Sequence, residues 1–192
     1  MVYNRAMSTH KLTDLAKIFT GYTFRSAIKF SAQGNHKVIQ AKDVTDNLEI
    51  TGDNLTKTFL KKTNSKAFTK DGDVLLTSRG RYQAAVVTSV EPIIASSSVL
   101  IIRITNPKIN PHYLAIFLNS RQGQSRLAKL TSGNYIKSIP KFNLENLSIR
   151  VPILSEQIKI IKLFQNIKKQ QNLLRQKEKI ISNISEGSLV NI

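Results

Sequence analysis

Residues 77–83 read Thr-Ser-Arg-Gly-Arg-Tyr-Gln, two guanidinium groups among uncharged hydrogen-bonding side chains around a glycine. None of these is a nucleophile paired with a base, so the chemistry on offer is recognition. Arginine forks onto the two acceptors of a guanine edge, glutamine and asparagine pair with adenine, and lysine holds phosphate. Ser78, Arg79, Arg81, Tyr82 and Gln83 are therefore candidate contacts to DNA, with Gly80 allowing close backbone approach. For Arg79 a competing assignment is an ion pair to Asp71 or Asp73 across the turn. Three other stretches offer the same residue types: Tyr22 and Arg25 in "GYTFR", Gln40 and Lys42 in "VIQAKD", and Asn134, Tyr135 and Lys137 in "SGNYIKS". Phe24, between the first two, is expected in the core.

The charge points the same way. With 29 Lys and Arg against 12 Asp and Glu, the formal charge is +17, which favours a polyanionic partner, nucleic acid ahead of anionic membrane. Residues 1–150 carry net +13 and residues 151–192 net +4, so the polyanion should meet mainly the first part. There are no cysteines, which removes disulfides, thiolate nucleophiles and cysteine-type zinc sites and agrees with a reducing compartment. His10, His36 and His112 are widely spaced, so no metal and no cofactor is expected. No run approaches the roughly 18 apolar residues of a membrane span, and "MVYNRAMSTH" lacks a signal peptide's apolar core; a cytoplasmic protein without membrane attachment is expected.

Enzyme signatures are weak. Asp71 and Asp73 have the spacing of a turn entering a strand, and no Glu-x-Lys follows to complete a nuclease site. "NPHY" at 110–113 departs from the Asn-Pro-Pro-aromatic signature of amino-methyltransferases at His112 and reads as a helix cap. No phosphate-binding glycine loop or nucleophile elbow occurs.

The elements that must position the candidate contacts are strands. "HKVIQAKDV", "DVLLTS", "AAVVTSV" and "SSSVLIIRI" are rich in β-branched residues and bounded by turn formers, "KDGD" at 70–73 launching the second. Asn110 reads as an N-cap with Pro111 in the first turn and Tyr113, Leu114, Phe117 and Leu118 at helical spacing. A second helix is expected over 121–130, a short one around "NLENL", then an extended "SIRVP". From Ser155, an N-cap followed by Glu156, one long helix is predicted with no Gly or Pro before Gly187. Ile160, Ile167, Leu174 and Ile181 recur every seventh residue, while Gln157, Phe164, Gln171 and Glu178 make the other half of the seam mostly polar. About 30 residues of helix extend about 45 Å, more than a compact neighbour covers, so a second helix is expected as partner; folding back on its own domain is the alternative. The fold class is α+β: a mostly β domain over 1–152 with short helices, then a coiled-coil helix and tail over 153–192.

"GYTFR", "VIQAKDV", "GDVLLTSRG", "AAVV", "ASSSVLIIRI", "NPHYLAIFLNS", "TSGNYIKSI" and "VPILSEQIKII" follow one another as in a target recognition domain and its helix. The chain resembles the DNA specificity subunit of Type I restriction-modification enzymes from residue 12 to about 185. The resemblance implies a non-catalytic subunit that reads double-stranded DNA and holds methyltransferase subunits, joined in a complete system by a translocating nuclease subunit. The family's full-length subunit has two recognition domains, each followed by a helix, with the helices paired antiparallel. This sequence has one of each, as a natural half-subunit, a piece of a longer subunit or a member of a related defence system would, and because one helix cannot bury its own stripe a homodimer is expected through Ile160, Phe164, Ile167, Gln171, Leu174, Glu178 and Ile181. A stand-alone, repressor-like DNA binder is the alternative.

Overall fold

Val74, Leu75 and Leu76 are all fully buried, and a strand apolar on both faces needs cover on both sides. The computed structural model describes residues 8–60, 65–133 and 137–189 and supplies that cover. Its strands are β1 (Ser8–Lys11), β2 (Ala16–Thr20), β3 (His36–Ile39), β4 (Glu49–Ile50), β5 (Thr56–Thr58), β6 (Val74–Thr77), β7 (Ala84–Val87), β8 (Ile94–Ala95), β9 (Val99–Ile104) and β10 (Ser148–Val151). Its helices are α1 (Pro111–Asn119), α2 (Arg121–Lys129), α3 (Lys141–Glu145) and α4 (Leu154–Leu189). A central sheet runs β2-β9-β6-β7-β4, a second sheet β5-β3-β8, and β1 pairs with β10.

Alternation along the central strands divides the core in two. Val74, Leu76, Val86 and Ile102 face the helices and pack with Leu114, Leu118, Leu127 and Leu144. Leu75, Val87, Val99 and Ile101 face the other way and pack with Ile39 and Ala95 of the second sheet and with Ile93 just before β8. The mixed α+β class and the long terminal helix agree with the sequence reading, as do β6, β7, β9, α1 and α2. Asn110 caps α1, its side chain accepting from the His112 N–H at 2.9 Å. The short helix α3 starts two residues ahead of "NLENL".

Other expectations are corrected. Ser155 is not the N-cap of α4, which begins at Leu154, and Gly187 lies inside the helix, where one glycine costs only about 1 kcal/mol. Phe24 is half-buried, its ring edge-on to Tyr22 with centroids 4.9 Å apart, and is not in the core. Gln157 is no seam residue: it is wholly buried and bonded to the start of α1. Ile160 and Phe164 pack with Ile161 against the domain's own core, so folding back wins for the first turns of α4. From residue 169 to 184 every helix residue is exposed.

Candidate nucleic-acid interface

Strand direction gathers most of the candidate residues at one edge. β2 and β6 both end where β9 begins, with Thr20 opposite Leu100 and Thr77 opposite Val99, and β3 ends beside Ala95 of β8. The chain just after β2, β3, β6 and β8 and just before β7 therefore shares one end of the two sheets. The turn at Ser96–Ser98 is its hub. The Tyr22 N–H donates to the Ala95 carbonyl at 2.7 Å, the Ser97 N–H to Tyr22 at 2.8 Å, the Ser96 N–H to Ile39 at 2.8 Å, and the Ser78 N–H to Ser98 at 2.9 Å. Gly21 makes this closure possible: a Cβ there would lie 2.1 Å from the Ser96 carbonyl oxygen. Across the edge, the Ile139 N–H donates to Ser78 at 2.9 Å and Arg79 bridges Ser138, bringing exposed Lys137 beside the arginine turn.

That turn is held from beneath. The buried Thr77 hydroxyl donates to the Arg81 carbonyl at 2.6 Å and accepts from the Gln83 N–H at 2.9 Å. Asn119 at the end of α1 clasps Ala84, accepting from its N–H at 2.8 Å and donating to its carbonyl at 2.7 Å. Gln124 of α2 donates to the Tyr82 carbonyl at 2.7 Å. Gly80 has φ +71° with open space where a Cβ would sit, so within the chain its need is the left-handed backbone rather than crowding.

The ion pair considered for Arg79 does not form. Asp73 lies at the far end of β6, about 13 Å of strand away, and takes Arg103 bidentately, Oδ1 to Nε at 2.9 Å and Oδ2 to the guanidinium terminus at 2.6 Å. Arg103 also donates to the Phe68 carbonyl at 3.0 Å, and its hydrogen bond to Asp73 raises the guanidinium's pKa above the ordinary arginine value. Among the described residues, Arg25, Lys42, Arg79, Arg81 and Lys137 form no ion pair within 4 Å. All five side chains are exposed. Asp46 sits in the field of Arg81, and its carboxyl is held below the usual range chiefly by the hydrogen bond from Lys168 at 2.7 Å.

Other candidate residues are placed for different work. Ser78 is buried and contributes its backbone. Tyr82 leans back, half-buried, on the core. Gln40 is half-buried and spends its amide on the Thr56 hydroxyl at 3.2 Å. Asn134 and Tyr135 lie outside the described residues. Thr77, Asn119, Gln124 and the Ser96–Ser98 turn escaped the sequence reading, because their role is set by partners distant in the chain. Among the described residues, no cluster of three His, Cys, Asp or Glu could hold a metal, and no helix is long and apolar enough to cross a membrane.

The family model for the type I restriction modification DNA specificity domain matches residues 4–183. The chain belongs to this family. Solved chains share the specificity domain's fold. One, from a type I R-M system described for its complex assembly and conformational transition, superposes with TM-score 0.68 at 18% identity, over 92% of this chain and 42% of the other. The HsdS subunit from Thermoanaerobacter tengcongensis gives 0.65 at 20% identity, over 92% and 40%. The S subunit of a type I system from M. genitalium gives 0.60 at 14%, over 92% and 42%. This specificity domain thus spans less than half the length of those solved chains.

On α4, Ile167, Leu174 and Ile181 are exposed to 42%, 59% and 55%, and Gln171 and Glu178 are exposed with them. Leu163, Leu173, Ile180 and Ile184 are exposed too. The apolar stripe is therefore broader than the heptad count alone predicts.

Proposed function

We propose that this specificity domain is the sequence-reading, non-catalytic subunit of a type I-like restriction-modification assembly in the cytoplasm. Residues 1–152 read one half-site of double-stranded DNA. Residues 153–192, helix and tail, pair with a second copy and dock methyltransferase subunits, with a translocating nuclease subunit joining in a complete system. One observation carries the reading: the exposed cations Arg79, Arg81, Lys42 and Lys137, without ion-pair partners among the described residues, share a single braced edge with Gln83 and Tyr22. Side chains on a stiff turn can meet a base edge in one register, and the cations beside them neutralise phosphates. Family membership favours this over a repressor acting alone.

The test is a titration of labelled duplex DNA at several salt concentrations, with methylation mapping in the host with and without the gene. Affinity should fall with a log–log slope of about −0.9 per phosphate neutralised, and deletion should erase methylation at one class of sites. Salt-independent binding, or a methylation map unchanged by deletion, overturns the proposal.

A further inference from the structure

Beside the proposed reading edge, the segment following Tyr22 crosses the outer side of β5, and a cleft of about 310 Å³ lies between them. Both walls are anchored at their ends. Tyr22 is tied through its backbone to Ala95 and Ser97, the Ser31 N–H donates to Lys57 at 2.9 Å, and Asn35 clasps Leu60 with both amide atoms, at 2.9 and 3.1 Å. Three aromatic rings stand in the lining: the edge-to-face pair Tyr22 and Phe24 on one side, and Phe59, 60% exposed, on the other. Arg25 and Lys29 stand in the lining, which contains no carboxylate.

An apolar peptide would find two cations with nothing to pair with here. A nucleotide uses both features, because a base stacks on aromatic faces while its phosphate takes the cations. The volume is at the small end of ligand pockets, which run from about 300 Å³ upward, and suits one flat ring system. Continuity with the proposed reading edge through Tyr22 lets one duplex reach both.

We propose that this cleft holds one unpaired nucleobase stacked against Phe59 and the Tyr22–Phe24 pair. The proposal rests on the DNA-reading function above and adds a second grip to it, stacking beside base-edge readout. Unpaired bases arise wherever a base is extruded for chemistry, since extrusion leaves its partner without a mate.

Competition binding of the whole chain to two duplexes of one sequence tests it, one fully paired and one carrying a single bulged 2-aminopurine. Wild type should prefer the bulged duplex about tenfold and quench its fluorescence. Phe59→Ala should lose both effects while keeping its circular dichroism and its affinity for paired DNA, and Phe59→Tyr should retain both. Paired binding without bulge preference, or a quench that survives Phe59→Ala, overturns the base cleft and leaves DNA reading intact. Failure of either duplex to bind in a salt-dependent way overturns DNA reading, and the cleft with it. If Phe59→Ala keeps the bulge preference but no longer co-purifies with a methyltransferase subunit, the cleft is a protein-docking site and the proposal fails.

Discussion

The side chain of Gln157 on the long helix accepts from the Asn110 backbone N–H at 2.8 Å, and its amide nitrogen donates to the carbonyls of Lys108 and Pro152 at 2.7 Å each. Gln157 is completely buried. One side chain thus joins the start of α1, the loop before it and the start of α4. Gln157→Leu would keep the volume and strand three backbone groups, each unsatisfied group costing about 1–3 kcal/mol. We expect a loss of about 2–4 kcal/mol after partial relaxation. Urea unfolding should show a lower midpoint at unchanged slope, whereas exposed Gln171→Leu should leave the midpoint nearly where it is.

Thr77 sets a second expectation, separating the shape of the arginine turn from its charge. Thr77→Val removes the hydroxyl that holds the Arg81 carbonyl and the Gln83 N–H and leaves both arginines in place. Stability should fall by about 1–3 kcal/mol, and discrimination between cognate and unrelated duplexes should fall while the salt slope is kept. Arg79→Ala and Arg81→Ala should behave otherwise. An arginine on a base edge should cost about 1–3 kcal/mol on the cognate site alone. One on a phosphate should weaken all sequences alike and flatten the slope by about 0.9.

Asp46 and Lys168 tie the loop before β4 to the helix beyond Phe164. The Asp46 carboxyl is held below its ordinary range, first by the Lys168 hydrogen bond. A depressed folded-state value means that the pair's contribution is present above the unfolded pKa and is lost as pH falls through the folded one. The carboxylate is over half exposed, which limits the pair to less than about 1 kcal/mol. Wild type and Asp46→Asn should therefore differ by a small constant amount at neutral pH and converge below roughly pH 4. A gap in unfolding midpoint that persists in acid would exclude the ion pair as its cause.

What was legible in the sequence follows from which interactions are local. Runs of β-branched residues bounded by turn formers announced β6, β7 and β9, and the Asn110–Pro111 cap announced α1, because each signal lies within a few residues of the element it sets. Short strands such as β4 and β8, two residues each, carry no period to detect and exist through pairing with distant partners. The same divide runs through the candidate site. Arg79 and Arg81 stood out by type and turn context, but the Asp73–Arg103 pair that removes one of the carboxylates weighed as an alternative partner for Arg79 spans 30 residues. The heptad of α4 was visible, yet sequence spacing could not tell that Ile160 and Phe164 face the domain's own core while Ile167 onward face solvent.

The exposed part of that heptad leads to the last expectation. Ile167, Leu174 and Ile181, flanked by Leu173 and Ile180, remain uncovered, and a single helix cannot bury them. Two copies pairing antiparallel about an axis at Leu174 would set Ile167 against the partner's Ile181, and by symmetry the reverse. Ile160 and Phe164, already packed at home, would limit the seam to the outer helix, and Gln171 and Glu178 would weaken it and fix its register. Light scattering should therefore give a dimer whose affinity is modest and rises when methyltransferase subunits bind. Ile167→Asp with Leu174→Asp should give a monomer with unchanged circular dichroism and unchanged binding to a single half-site, since neither residue supports the domain core. Two domains related by a two-fold axis read inverted copies of one half-site, so the methylated target should be an interrupted palindrome, its spacer set by the helix. A wild-type chain that stays monomeric at high concentration and within the methyltransferase complex, or an asymmetric bipartite target read by this chain alone, would rule the paired helix out.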